Sequence, residues 1–320
     1  AIISILLASS PVFADFNESN TIGTTTTEKD EDGKTKTIIT VKDRQIESYT
    51  STDAATSSNN SSVSINATFF NDRYSDKLTT LLSFKGFIPS GRRFTFPPRN
   101  SWLGFMLWPY KYSTTITNIS LDKPVKIIES TPSNTIKNKE VSDSIVYGVG
   151  GGVKLEGKTP GASLDANAAF SKTISYQQPD YETIKTSGTT QKTSWDTVFT
   201  ETTDGYTRTS WNSLFGNGLF MVGLYTYDVK KNFTPDYKLS QLITGGFSPE
   251  YGLVLNAPKE VKKSQIKVQL SRVSETYRQE WTGFNWFGRN YLDQNTSDWS
   301  STSSLLFEID WEKHTVKFIA

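Results

Sequence analysis

Apolar residues recur along the chain at every second position, in short runs bounded by Gly, Asn, Asp and Pro. Val63, Ile65, Ala67 and Phe69 alternate with polar neighbours, and near the end Phe307, Ile309 and Trp311 share a face before a turn at Glu312-Lys313, with Val316 and Phe318 beyond. A period of two marks half-buried strands, and a helical period is almost absent, so the pattern predicts an all-β chain built as a sandwich or barrel. Both runs read as scaffold strands of a sandwich core. Asp32-Gly33, between 24–29 and 34–41, predicts a two-residue hairpin because such turns need positive φ. Its neighbours Asp30 and Glu31 do not complete a calcium loop, and residues 57–62 are a polar connection.

One hairpin, roughly 141–176, has an unusual pattern. Going out, Ile145, Tyr147, Val149, Gly151, Val153 and Leu155 occupy one face, opposite mostly small or polar positions that include Lys154 and Glu156. After a turn-rich tip from Gly157 to Gly161, with Lys158 in it, the return places Leu164, Ala166, Ala168, Phe170, Ile174 and Tyr176 on one face and Asp165 among polar positions on the other. Positions 147–157 match the ~9 to 11 residues that a tilted strand uses to cross a bilayer. Open strand edges are costly in hydrocarbon, so such a hairpin crosses only by closing a barrel with other copies. On this reading the apolar positions face lipid. Tyr147 and Tyr176 mark an interfacial girdle, and Lys172, the single charge on the outer face, snorkels to head groups. Lys154, Glu156, Lys158 and Asp165 line the lumen. On the pattern alone an ordinary sandwich hairpin is the favoured reading, because most alternating hairpins belong to sandwiches.

Composition narrows the chemistry. The 320 residues carry 34 Lys plus Arg against 33 Asp plus Glu, so there is no basic field to attract nucleic acid. With no Cys and one His, thiolate sites are excluded and metal chemistry is nearly closed off; no metal and no cofactor are expected. The 13% aromatic content, with eight Trp, suits an interface that is apolar at one side and wet at the other. Residues 1–14 read as the remnant of a signal peptide, Ile2 to Ala8 apolar and Pro11-Val12-Phe13-Ala14 resembling a cleavage site, so the mature chain is expected to begin near Asp15 and to be secreted. No other run approaches the ~20 apolar residues of a spanning helix.

Two chemical signals are weak. Gly152 to Thr159 spells the phosphate-loop pattern G-x-x-x-x-G-K-[ST], but that motif needs a helix at its Gly-Lys-Thr, and Pro160-Gly161 and another alternating run follow. His314 lies between Lys313 and Thr315 and reads as an ordinary exposed side chain, while Asp180 and Glu182 have nothing to bring them across a cleft. The chain is not expected to be an enzyme.

The hairpin's borders carry a resemblance. Thr131-Pro132-Ser133-Asn134-Thr135-Ile136 before it and Tyr176-Gln177-Gln178-Pro179-Asp180-Tyr181 after it resemble the borders of the stem in the staphylococcal α-hemolysin and leucocidin family. Trp108-Pro109, Ser194-Trp195, Gly216 to Met221, Gly245 to Pro249, Asn285-Trp286 and Ile309-Asp310-Trp311 extend the likeness along most of the chain. Glu156 to Thr159, Ser194-Trp195-Asp196 and Leu253 to Pro258 look closest to the clostridial branch, which includes beta-toxin, delta-toxin and the necrotic-enteritis toxins.

That resemblance implies a β-sandwich cap at 15–138, a prestem hairpin at 139–176, and a rim with the rest of the cap at 177–320. It also implies a homo-oligomer of about seven or eight subunits whose hairpins become a transmembrane β-barrel and permeabilise host cells, with the segment from Asp15 acting as a latch between neighbours. The rim would bind a membrane lipid, glycolipid or protein receptor. Its candidate contacts are Arg92, Arg93, Phe94, Arg99 and Trp102, with Trp281, Phe284, Trp286, Phe287, Arg289 and Tyr291, because cations beside aromatics suit a head group or glycan. Staphylococcal relatives hold phosphocholine with a rim Trp and an Arg soon after the Leu-Phe-Met run; here Val222-Gly223-Leu224 follows Met221, and Tyr206 and Arg208, near the region of the usual Trp, join the candidate receptor contacts. Trp108, Trp195 and Trp211 read as core.

The rival reading is a secreted lectin-like or adhesin sandwich that uses the same aromatic loops without inserting. It predicts a permanent monomer. On the pore reading, two lumen charges of each sign nearly cancel, so the expected outcome is weak ion selectivity; a reversal potential far from zero in a salt gradient would overturn it.

Overall fold

The computed structural model describes residues 20–120, 124–157, 166–225, 227–292 and 300–320. The remnant at 1–14 and the candidates Lys158, Leu164 and Asp165 lie outside them. The alternating runs are strands of two eight-stranded sheets and one four-stranded sheet. One large sheet orders Thr24–Lys29, Thr35–Val41, Arg44–Thr56, Ser62–Asn71, Lys77–Pro89, Glu250–Pro258 and Lys126–Thr131. The other orders Tyr181–Gly188, Lys192–Phe199, Leu103–Asn118, Lys263–Trp281, Ser300–Asp310 and Thr315–Phe318, with Arg93–Thr95 and Trp286–Tyr291 attached at one end. Their inner faces form the main core, where Ile65, Phe84, Trp108, Trp195, Tyr251 and Phe307 are almost wholly buried. Trp195 stacks on Tyr251 at 4.2 Å and donates its indole N–H to the Pro132 carbonyl at 2.8 Å, so the largest side chain leaves no orphan polar group.

Leu103–Asn118 and Lys263–Trp281 pair with each other and carry the fold from cap to rim. The 19 residues of the second strand reach roughly 60 Å at ~3.3 Å per residue. Because two such strands run side by side, the rim is an extension of the cap's own sheet. Among the described residues no helix is long and apolar enough to cross a membrane.

Local expectations met mixed outcomes. Val63, Ile65, Ala67 and Phe69 are core, as are Phe307, Ile309 and Trp311. The Asp32-Gly33 turn exists, with Gly33 at φ 77°, but it is longer than two residues: Asp30 N donates to Lys34 O, and the Asp30 carboxylate accepts the N–H groups of Asp32 and Lys34. The first part of the phosphate-loop pattern is the strand Gly152–Glu156, so its N–H groups serve a sheet and cradle no phosphate.

His314 corrects the sequence reading. It is half-buried in the turn after Asp310, at φ 51°, with its ring stacked on Tyr49 at 4.1 Å and Lys34 donating to its carbonyl at 2.7 Å. Burial, and then Lys34, pull its pKa below the usual value. Folding therefore favours the neutral ring. This contribution is complete above the unfolded value of ~6.5 and is lost as pH falls through the depressed folded value. The melting temperature should drop on acidification from about pH 7 to about pH 5, and His314→Asn, a residue that tolerates positive φ, should flatten that drop. An identical pH slope in the variant would exclude His314 as its source.

Candidate functional site

The third sheet is the candidate hairpin itself, folded on the flank of the sandwich. Its order is Asn20–Thr21, Ala168–Gln177, Glu140–Gly148 and Gly152–Glu156. The sequence pattern suggested one long outgoing strand; in this fold the run breaks at Val149-Gly150-Gly151. Gly150 and Gly151 take φ of 94° and 87°, and Gly152–Glu156 doubles back so that Ile145 faces Leu155 and Tyr147 faces Val153. Only glycine enters that region freely, which is why the turn falls in the glycine run.

The two halves of the alternation meet as expected. Ile145 is opposite Lys172 and Tyr147 is opposite Phe170, and directly opposed residues share a face. In this fold that face meets protein. Ile145, Tyr147, Val149 and Phe170 pack with Ile39, Ile46, Phe70, Leu81 and Val254 in a cluster separate from the main core, with Val153 and Leu155 half-buried at its edge. Ile174 and Tyr176 reach the main core, Ala168 is buried and Ala166 is exposed. Of the lumen candidates, Lys154 is exposed and Glu156 half-buried.

A buried carboxylate fixes this arrangement. Asp72, 4% exposed, accepts the Tyr147 hydroxyl at 2.9 Å and the Gly150 N–H at 2.7 Å on one oxygen, and the Tyr74 N–H at 2.8 Å on the other. The Tyr147 ring lies flat on Phe70, centroids 4.0 Å apart. Lys172 is also buried, beside the Lys85–Glu250 pair at 3.4 Å, and Glu250 accepts the Ser175 N–H at 2.9 Å. At the root, the Gln178 side chain donates to the carbonyls of Ile136 and Asn138 at 2.8 and 2.7 Å, and its N–H donates to Lys139 O. The hairpin is thus clamped at its base and latched near its bend.

The girdle expectation needs correction. Tyr176 faces Val141, six rungs from the Tyr147–Phe170 pair, roughly 20 Å along the ladder. One interface cannot hold both tyrosines while that pairing lasts; Phe170 is the aromatic level with Tyr147.

The rim separates its candidates by strand parity. In Trp286–Tyr291, Trp286 and Gly288 point inward, while Arg289 is exposed and sits 5.1 Å over Tyr291. Trp286 is fully buried beneath Trp102 and Trp281, so in this fold it supports the loops and does not present its ring. Gly288 is obligatory: a Cβ would fall 2.1 Å from Asn217 O. Arg208 is also structural. Its guanidinium lies 3.9 Å over Tyr110 and grips the wholly buried Glu275 with both Nε and Nη2, while Asn290 donates to the same carboxylate at 2.7 Å. Tyr206 packs against Gly218.

Arg93 and Arg99 are exposed, as are Phe94, Trp102 and Phe284; Trp281 and Phe287 are half-buried, and Arg92 pairs with Asp236 at 2.8 Å. Trp211, expected in the core, is 63% exposed with its edge on Phe287. The sequence reading missed three strongly exposed aromatics: Tyr225, Tyr227 and Tyr237 are 64%, 90% and 84% exposed. Their polar, non-alternating surroundings were the available signal. Tyr237 lines a cleft of about 480 Å³ together with Phe94, Val222, Lys230, Lys231 and Lys238, with further contributions from the same segment.

A sandwich with an apolar hairpin latched on its flank and an aromatic rim is the build of a pore-forming toxin. Comparison with known proteins agrees. The Leukocidin/Hemolysin toxin family model matches residues 63–313. Leucotoxin LukDv of Staphylococcus aureus is 32% identical over 258 residues, 78% of this chain and 77% of its own length. Clostridium perfringens delta-toxin is 47% identical, with a TM-score of 0.83 over 92% of this chain and 100% of its own. The Clostridium perfringens NetB toxin, solved in the membrane inserted form, is 35% identical, with a TM-score of 0.68 over 86% of this chain and 100% of its own. The chain belongs to the leukocidin/hemolysin toxin family.

Tyr147→Phe removes one of the bonds on Asp72 and should destabilise the hairpin by about 1 kcal/mol, read as faster amide exchange in 141–156 with the main core unchanged. Trp286→Ala should cost about 3–5 kcal/mol of global stability. A variant melting like the parent would refute its buried role.

Proposed function

We propose that this protein is a secreted cytolysin that binds a host-cell membrane through its rim, oligomerises, and inserts residues 139–176 as two strands of a shared β-barrel. The observation that carries the reading is the apolar hairpin face: it is lightly charged, and it is held on the cap by one small cluster and by the Asp72 and Glu250 carboxylates, with Val141, Ile174 and Tyr176 at its root in the main core. The part of the hairpin that has its own cluster can open first, before the root residues Val141, Ile174 and Tyr176 leave the main core. Once released, that face has lipid as its natural solvent, and barrel closure satisfies its backbone groups. The relative solved in the membrane inserted form supports a second state for chains of this sequence pattern.

The rim contacts proposed are the exposed groups Arg93, Arg99, Phe94, Trp102, Phe284 and Arg289, with the half-buried Tyr291 beneath Arg289, joined by Tyr225, Tyr227 and Tyr237. Aromatic rings at the interface level with lysines and arginines beside them suit a lipid or glycolipid head group. Lys154 and Glu156, with Lys158 and Asp165 from the tip, are the proposed lumen charges.

Dye release from liposomes or red cells together with an SDS-resistant oligomer tests the pore, and an inert monomer on every susceptible membrane favours the lectin-like alternative. A disulfide tests the stem. Val146 faces Lys154 across the folded ladder, within disulfide reach, whereas along one extended strand they would lie ~26 Å apart. Val146→Cys with Lys154→Cys should bind cells but release no dye until reduced; full release from the confirmed disulfide form would refute the stem assignment. Phe284→Ala with Tyr227→Ala should weaken membrane binding about tenfold at unchanged melting temperature, and unaltered binding would remove these rings from the contact.

A further inference from the structure

The ladder between Glu140–Gly148 and Ala168–Gln177 runs in strict opposition from Glu140 with Gln177 to Tyr147 with Phe170, and then slips. Gly148 faces Ala168, leaving Ala169 unpaired in a bulge. Ala169 is fully buried in the hairpin's cluster, and just beyond it Val149 N donates to Asn167 O at 2.9 Å. The tip side of the folded hairpin is therefore one residue out of step with its root side.

That slip conflicts with the apolar alternation. Directly opposed residues of an antiparallel pair share a face, and a one-residue shift sends every side chain of a strand to the other face. Without the bulge, Val149 would be opposite Ala168 and Gly151 opposite Ala166, joining the two apolar rows. With the bulge carried along the extended strands, Val149 would be opposite Asn167, and the polar row of the return strand would be turned to lipid. Each ionised group moved there costs up to a few kcal/mol near mid-membrane, repeated in every subunit.

We propose that the hairpin changes register by one residue when it inserts, Ala169 leaving its bulge to pair with Gly148. The bulge belongs to the folded state only. There it fills the cluster beside Phe70 and accompanies the bend that folds Gly152–Glu156 back, since bulges kink and twist a strand locally. It also sets the hairpin in a pairing that cannot serve as barrel wall, so extension requires the ladder beyond Tyr147 to break and re-form. This inference rests on 139–176 being the stem.

Cysteine pairs distinguish the registers. Pairs at 148/168 and 149/167 report the bulged register, and pairs at 148/169 and 149/168 report the slipped one; each set spans two neighbouring rungs, so one rung of each is the closely spaced, non-hydrogen-bonded kind. The soluble monomer should close 148/168. Oligomers assembled on liposomes under reducing conditions and then oxidised should close 148/169 or 149/168 only. Deleting Ala169 should leave membrane binding intact and cut dye release at least tenfold, because the slipped register then misaligns the two apolar rows; if the bulge persisted in the pore, the deletion would release dye like the parent. Release at the parental level, or closure of 148/168 in the oligomer, overturns the change of register. If the deletion variant does not fold, the cysteine pairs decide alone. The disulfide between positions 146 and 154 separates the two claims: dye release through that staple sinks the stem itself, whereas an effective staple with 148/168 closed in the oligomer sinks only the slip.

Discussion

The hairpin carries an apolar strand face that has to be kept from water in every state the chain occupies. In the folded monomer the cap does this, with Phe70 flat on Tyr147 and Ile39, Ile46, Leu81 and Val254 around it. The cap pays for its grip with polar groups placed at the edges of that cluster: Asp72 takes the Tyr147 hydroxyl and the Gly150 N–H, and Glu250 holds Lys85 and the Ser175 N–H beside Lys172. Buried carboxylates are stable when their oxygens are filled, and each of these is filled in part by the hairpin. The same groups that hold the hairpin would be left uncompensated by its departure, so a folded monomer is favoured until another surface compensates them.

The rest of the molecule keeps this arrangement separable. The latch cluster and the main core are distinct, and the sandwich is held by long strand pairings and by buried rings such as Trp195 on Tyr251 that do not involve the hairpin's bend. Gln178 fixes the root of the hairpin to Ile136 and Asn138. At the other end, the Arg208–Glu275–Asn290 network and the Trp286–Trp102 stack stiffen the rim from within. Exposed rings such as Tyr227 and Phe284 thus stand above a hydrogen-bonded and stacked floor, an arrangement suited to recognising a surface.

Much of this was legible in the sequence. Period-two alternation identified the all-β class and the core strands, because side-chain alternation is a local property of an extended backbone. It also named both apolar rows of the hairpin, and the observed pairing of Ile145 with Lys172 and Tyr147 with Phe170 joins those rows as expected. The hairpin's borders carried the family likeness.

Tertiary structure decided what alternation cannot encode. Whether an apolar face meets protein or lipid depends on what lies opposite, and for Tyr147 that partner is Phe70, 77 residues earlier in the chain. Charge and aromatic content made Arg208 and Trp286 look like receptor contacts, whereas a buried carboxylate at Glu275 and the inward parity of Trp286 turned both into supports. Trp211 went the other way, to the surface. The break at Gly150-Gly151 and the bulge at Ala169 go with contacts to Asp72 and to the cluster around Phe70, partners far away in the chain that no local run of residues contains.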